Sequence, residues 1–96
     1  MSSNLVVPVP REMVQRQINI LNDYLHIATN VTSMSSIAQI NLANRNLYMA
    51  KSLFEALRQF KMLGNWAAIE EDINRIEDKI EFIRKEKSKH YRPEVR

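Results

Sequence analysis

The sequence contains no cysteine, only one glycine and three prolines, and no long run of hydrophobic residues. The absence of cysteine excludes a disulfide framework and any metal site built on thiolates. So little glycine and proline leaves too few turns for a β-sandwich or a β-barrel. No apolar stretch approaches the roughly 20 residues that a membrane-spanning helix needs, so we expect no membrane span.

The sequence motifs of enzymes and cofactor sites are also missing. There is no glycine-rich phosphate loop and no pair of histidines at metal-ligand spacing, and His26 and His90 are far apart in the sequence. We therefore predict a protein that is not an enzyme and that binds no metal and no cofactor. Near the N-terminus, Pro8 and Pro10 interrupt a short apolar run, which does not resemble a signal peptide. We expect an intracellular protein, either cytoplasmic or nuclear.

A regular stripe of large apolar residues runs between Trp66 and Ile83. Its members follow one another at intervals of three, four, three, four and three residues: Trp66, Ile69, Ile73, Ile76, Ile80 and Ile83. This spacing is the heptad pattern of a helix that packs along its length against another helix. Most other residues of this segment are polar or charged, so the pattern predicts a helix with one narrow apolar seam.

Three helices are predicted in all, over residues 10–30, 36–63 and 65–90. Residues 1–9 are predicted to form an extended lead-in, because prolines exclude a helix there. Residues 91–96 are predicted to be a basic tail, and everything between these ends, residues 10 to 90, a single helical domain.

Local signals mark the two places where the chain is expected to turn. The polar segment 29–36 is rich in serine, threonine and asparagine, which favour turns over helix interiors. It contains neither glycine nor proline, so a continuous helix through it is the alternative that the sequence leaves open. Ser36 and Gln39 have the spacing of a capping box for the second helix. Gly64 is expected to end that helix in the left-handed conformation, and Asn65 is expected to cap the third helix.

Folding the chain back at these turns brings apolar residues into register. About the first turn, facing residues have numbers that sum to 68: Ala28–Ile40, Leu25–Ala43, Leu21–Leu47, Ile18–Ala50 and Val14–Phe54. About the second turn the sum is 129, which pairs the isoleucine stripe with a second apolar line of the middle helix: Leu63–Trp66, Phe60–Ile69, Ala56–Ile73, Leu53–Ile76, Met49–Ile80 and Asn46–Ile83. The predicted fold class is all-α, an antiparallel helical hairpin plus an N-terminal helix that form a three-helix bundle or a coiled-coil-like arrangement.

One apolar line on the first helix is used by neither pairing. It consists of Met13, Ile20, Tyr24, Ile27 and Val31. Either the third helix covers this line when the bundle closes, or the line is offered to another chain. These five residues are therefore the candidate partner-binding residues.

The observations predict a small interaction subunit or scaffold that contributes packed helices to a larger intracellular complex. In size, helix content and lack of catalytic residues, the chain resembles the small all-helical subunits of eukaryotic multiprotein assemblies. In a parallel homodimer of the third helix, Asp72 would face Glu77 and Lys79 would face Arg84. Because both pairs have like charges, a hetero-oligomer with other helical protein subunits is favoured over a parallel homodimer.

Two alternatives stay open. The run from Arg84 to Arg92 is basic and suits an acidic partner such as nucleic acid, but Glu86 interrupts it and no nucleic-acid motif accompanies it. Nucleic-acid binding is therefore the less favoured function. The other alternative is a self-assembling structural or viral regulatory helical bundle.

Overall fold

The structure is a computed structural model that describes residues 10–90, apart from the side chains of Met62 and His90. It contains three α-helices, α1 (Arg11–Thr29), α2 (Ile37–Leu57) and α3 (Trp66–His90), with a short 3₁₀ helix at Lys61–Leu63 before α3. Within the described residues there is no β-strand. The predicted all-α, three-helix architecture is confirmed. The predicted lead-in and the predicted basic tail lie outside the described residues.

The chain turns between α1 and α2, as the polar composition of this segment predicts. The backbone N–H of Thr32 donates to Ser35 Oγ at 2.9 Å, and the N–H of Met34 donates to Thr32 Oγ1 at 3.1 Å. Ser36 and Gln39 then form the predicted capping box, with hydrogen bonds of 3.1 and 2.7 Å. These side chains accept hydrogen bonds from backbone N–H groups that have no acceptor within a helix. The chain can therefore reverse here without glycine or proline.

α1 and α2 pack in the predicted register. All ten residues of the five predicted pairs are buried, none of them more than 6% exposed. The isoleucines of α3, from Ile69 to Ile83, are buried in the same cluster. The three helices therefore close around one core, to which each helix contributes a single apolar line. Burial of each large aliphatic side chain stabilises the fold by about 1.5–3 kcal/mol relative to its exposure.

α3 lies on a different side of α2 from the predicted one. Most of the second apolar line of α2 is not buried by α3: Met49 and Ala56 are exposed, as is Leu42 further along the same line. Leu53, Phe60 and Leu63 are half-buried against the edge of the core. α3 instead reaches α2 through Glu77, whose Oε2 lies 3.0 Å from the Nζ of Lys51. The residue numbers 51 and 77 sum to 128, close to the predicted 129, so α3 lies at the predicted position along the length of α2. The side of α2 on which α3 was predicted to pack is wrong. In the groove between α1 and α2, α3 buries its isoleucines against two helices instead of one.

The end of α2 also differs from the prediction. The helix ends at Leu57 instead of Leu63, and Phe60 leaves helical geometry with φ −90° and ψ 67°. The carbonyl of Phe60 is then free to accept a hydrogen bond from the indole N–H of Trp66 at 3.1 Å. The indole ring also meets the Phe54 ring edge-on, with centroids 6.1 Å apart. Helix α2 thus ends where the aromatic side chains close that end of the core.

Gly64 adopts an extended conformation, with φ −156° and ψ 161°, and not the left-handed one that was predicted. Its lack of a side chain matters for another reason. A Cβ atom at this position would lie 2.9 Å from Cζ2 of Trp66. Glycine is needed here because the indole ring lies directly over the backbone. The prediction for Asn65 is confirmed, since its Oδ1 accepts a hydrogen bond from the N–H of Ala68 at 3.3 Å.

Candidate interaction surface

The structure divides the α1 line that was predicted to bind a partner. Met13, Ile20 and Ile27 are 54%, 36% and 46% exposed. Tyr24 is half-buried and packs against the edge of the core. Val31 is corrected to a core residue, only 4% exposed, because it follows the end of α1 where the chain turns back toward α2. Four of the five predicted residues therefore remain on an accessible surface.

α3 packs on the opposite flank of α1 and does not cover this line. An open cleft between α1 and α3 is lined on α1 by Asn22, His26 and Thr29. Lys79 of α3 donates a hydrogen bond to the carbonyl of Thr29. At 3.6 residues per turn, this flank lies roughly 150° around α1 from the line of Met13 and Ile27. Closure of the bundle therefore leaves most of the apolar line of α1 uncovered.

α2 extends the same surface with the apolar line that α3 does not use. Leu42 and Met49 are 53% and 43% exposed, and Leu53 is half-buried. These residues lie roughly 160–180° around α2 from Lys51, which faces α3. The unused lines of α1 and α2 therefore share the side of the hairpin that faces away from α3. We call this surface the outer face: Met13, Gln17, Ile20, Tyr24 and Ile27 of α1, with Leu42, Asn46, Met49, Leu53 and Ala56 of α2.

The exposed residues of the outer face recur every seven positions on both helices. They are Met13, Ile20 and Ile27 on α1, and Leu42, Met49 and Ala56 on α2. Because facing core residues of the two helices have numbers that sum to 68, Ile20 lies nearly level with Met49, and Ile27 nearly level with Leu42. Rows of apolar residues with a seven-residue period are typical of helix surfaces that pack against other helices.

The chemistry of the outer face suits apolar contact. None of its ten residues is charged. The amide of Asn46 already donates a hydrogen bond to the carbonyl of Leu42 at 2.9 Å, so part of its polarity is satisfied within α2. Three exposed charged residues, Arg16, Asp23 and Arg45, border the face, and none of them forms an ion pair with another described side chain. A partner can therefore pair with this rim without displacing contacts described within the bundle.

A second apolar region lies at the far end of the bundle, where α3 runs beside the start of α2. It is an open groove of about 1120 Å³, lined by Ser33, Ile37, Ile40, Asn41, Phe82, Ile83, Arg84, Glu86, Lys87 and Ser88. Ile37 and Phe82 are well exposed. Charges of both signs border the groove, so its electrostatics select no class of ligand. The outer face, which is uncharged and regular, is the stronger candidate.

Among the described residues, no polar or charged side chain is buried. Within the described residues, no three His, Asp or Glu side chains come together as a metal site. The acidic residues near the start of α3 are exposed, and Asp72 pairs with Arg75 at 3.2 Å. Their position near a helix N-terminus and this ion pair account for them. None of the described helices is both long and apolar enough to cross a bilayer.

The α1 half of the outer face was predicted from the sequence, whereas its α2 half was assigned to contacts with α3. Met49 and Ala56 are thus the exposed residues that the pairing placed against α3, and Leu42, which the pairing did not include, continues their row. One feature of the sequence indicated that they are exposed. α3 has a single apolar seam, which can fill one groove but cannot also cover a second apolar line. No known protein family matches the chain, and neither the curated proteins nor the solved structures include a match.

Proposed function

We propose that this protein is a non-enzymatic helical interaction subunit of a larger intracellular complex. Its outer face would pack against the helices of another polypeptide. The observation that carries this proposal is the pair of exposed apolar rows on α1 and α2, on the side that α3 leaves open. Contiguous apolar surface of this kind marks interaction sites, whereas single exposed apolar residues are common on any protein.

The area available on the outer face is large enough to drive association. Its five exposed large residues together expose the equivalent of roughly two complete side chains, each worth about 1.5–3 kcal/mol when buried. The half-buried residues between the rows, such as Tyr24 and Leu53, add to this area. Association also costs translational and side-chain entropy, so such a face supports a specific interaction of moderate strength.

The proposal is tested by placing charges on the outer face. In the double variant Ile20→Asp with Ile27→Asp, two exposed side chains become carboxylates that a partner helix would have to desolvate. We expect this variant to lose its partners when the tagged chain is captured from its own cell and the bound proteins are identified by mass. We also expect its helicity, measured by circular dichroism, to stay close to that of the unmodified chain.

A matched control separates the outer face from exposed apolar residues in general. Met34→Asp with Phe82→Asp makes the same chemical change at two exposed residues away from the face. This control should keep the partners that Ile20→Asp with Ile27→Asp loses. Loss of the same partners by both variants would contradict the proposal. Unfolding of the outer-face variant would show instead that Ile20 and Ile27 belong to the core.

Nucleic-acid binding receives less support. In the basic end of α3, Lys85 lies 3.9 Å from a carboxylate oxygen of Glu81, and Lys89 lies 3.6 Å from one of Glu86. Two of the basic side chains are therefore partly neutralised by their own helix. A gel-shift titration at low salt, where phosphate contacts are strongest, is expected to show no binding.

A further inference from the structure

We infer that the occupant of the outer face is a second copy of this chain, packed hairpin against hairpin. The α1 and α2 helices of the two copies would form a four-helix core, with the two α3 helices on its outer sides. This inference rests on the proposed function, because it names the partner for the same surface. The charges around the face and the sizes of its side chains both support it.

The rim of the outer face is complementary to itself. When two copies meet with their α1 helices antiparallel and crossing near Ile20, facing residues have numbers that sum to about 40. Arg16 of one copy then lies beside Asp23 of the other, and the two-fold symmetry repeats this ion pair. At the same height on α2, Arg45 faces the uncharged Ser52. No like charges meet along either rim.

The apolar rows are also matched in this arrangement. On α1, Ile20 lies over Ile20 of the other copy, and Met13 lies over Ile27. On α2, Leu42 lies over Ala56, a large residue against a small one, as in interdigitated cores. One alignment of the two copies gives all of these pairs, because Ile20, at the centre of the α1 row, is level with Met49, at the centre of the α2 row.

A second symmetric arrangement places α1 of one copy over α2 of the other. Residues at equal heights then have numbers that sum to about 69, so Asp23 lies beside Arg45, and Arg16 lies beside Ser52. In both arrangements every facing pair of helices is antiparallel, and Asp23 lies beside an arginine. The two arrangements are distinguished by which arginine that is.

The size of the face sets the expected strength of the dimer. From Arg11 to Thr29, α1 is about 27 Å long, and two helices side by side are about 20 Å wide, which gives roughly 540 Å² for each copy. The total of roughly 1,100 Å² lies near the lower limit of specific protein interfaces. We therefore expect a reversible dimer with a dissociation constant on the order of micromolar.

Sedimentation equilibrium of the full chain, over low to high micromolar concentrations in low salt, tests the inference. We expect a concentration-dependent mixture of monomer and dimer. Asp23→Arg alone should weaken the dimer by about tenfold in either arrangement, because two attractive contacts become repulsive. Arg16→Asp alone should do the same only if α1 packs on α1, where Arg16 forms an ion pair. Combining Arg16→Asp with Asp23→Arg should restore it if α1 packs on α1. Combining Asp23→Arg with Arg45→Asp should restore it if α1 packs on α2.

Glu71→Arg provides the control, since it reverses an exposed charge on α3, away from the outer face. It should leave the dissociation constant unchanged within about twofold. A monomer at all concentrations would overturn the inference, and so would a dimer that survives Ile20→Asp with Ile27→Asp or responds to neither charge exchange. If the chain is monomeric but the outer-face variant still loses other captured proteins, the proposed function stands without this inference. If the chain is monomeric and the outer-face variant also loses no captured protein, both fail.

Discussion

The Nζ atom of Lys51 lies 3.0 Å from Oε2 of Glu77, and this ion pair joins α2 to α3 on the side of the bundle away from the outer face. Both side chains are about half exposed, at 45% and 48%, so water screens the attraction. The pair is more informative about position than about stability. It shows which flank of α2 carries α3, and therefore which flank remains open.

A double-mutant cycle with Lys51→Ala and Glu77→Ala should give a small coupling free energy. For an exposed pair of this kind we expect about 0.2–1 kcal/mol at low ionic strength. Raising the salt concentration should reduce this value further. The free energy of unfolding in urea, measured for the four proteins of the cycle, provides the check. A coupling that did not change with salt would contradict an exposed ion pair between α2 and α3.

Replacing Gly64 with alanine should destabilise the fold by about 1–3 kcal/mol, because the added Cβ would crowd the indole ring of Trp66. The backbone itself is extended and accepts any residue. The same substitution made together with Trp66→Leu should therefore cost much less than it does alone. Denaturant unfolding, with and without Gly64→Ala, measures this cost in the unmodified chain and in the Trp66→Leu variant. An equal cost in the two backgrounds would show that the backbone, and not the indole, requires glycine.

Loss of the capping box at the start of α2 should cost about 1 kcal/mol, since Ser36→Ala leaves the Gln39 N–H without its acceptor. Ser88→Ala, an exposed substitution within α3, serves as the control and should change stability by no more than about 0.5 kcal/mol. The comparison is made on urea midpoints with equal m-values. Equal effects of the two substitutions would argue against the cap.

The isoleucine seam of α3 should be essential to the isolated chain. Ile76 is only 2% exposed, so Ile76→Ala is expected to cost about 2–5 kcal/mol through lost burial and the cavity left behind. Phe82 lies on the same helix but is 63% exposed, and Phe82→Ala should cost less than about 1 kcal/mol. Thermal unfolding of dilute samples distinguishes the two. If Ile76→Ala left stability unchanged, the seam would not be packed in the single chain.

The α1–α2 hairpin could be predicted from the sequence because each signal there is local or one-to-one. Ser36 and Gln39 mark the turn by side-chain hydrogen bonds within three residues. Beyond the turn, the buried line of α1 matches a line of α2 with large residues set against small ones, such as Ile18 against Ala50. The α1 part of the outer face was predicted in the same way, because it is the apolar line of α1 that the helix pairings did not use.

The side of α2 on which α3 packs could not be predicted in the same way. α2 carries two apolar lines, and matching residue numbers determines only the height of α3 along it, as Lys51 and Glu77 show. The choice of side depends on α1, which offers α3 a groove in place of a single helix surface. The role of Gly64 was missed for a similar reason, because it depends on how Trp66 folds back in three dimensions.

The connection between α2 and α3 is held at several points by one side chain. The indole N–H of Trp66 donates to the Phe60 carbonyl, and the indole ring lies over Gly64 and forms a T-shaped contact with the Phe54 ring. These contacts hold the start of α3 against the end of α2. Because α3 does not lie over the outer face, the association proposed there should require no prior opening step. Its rate should depend on encounter and orientation alone.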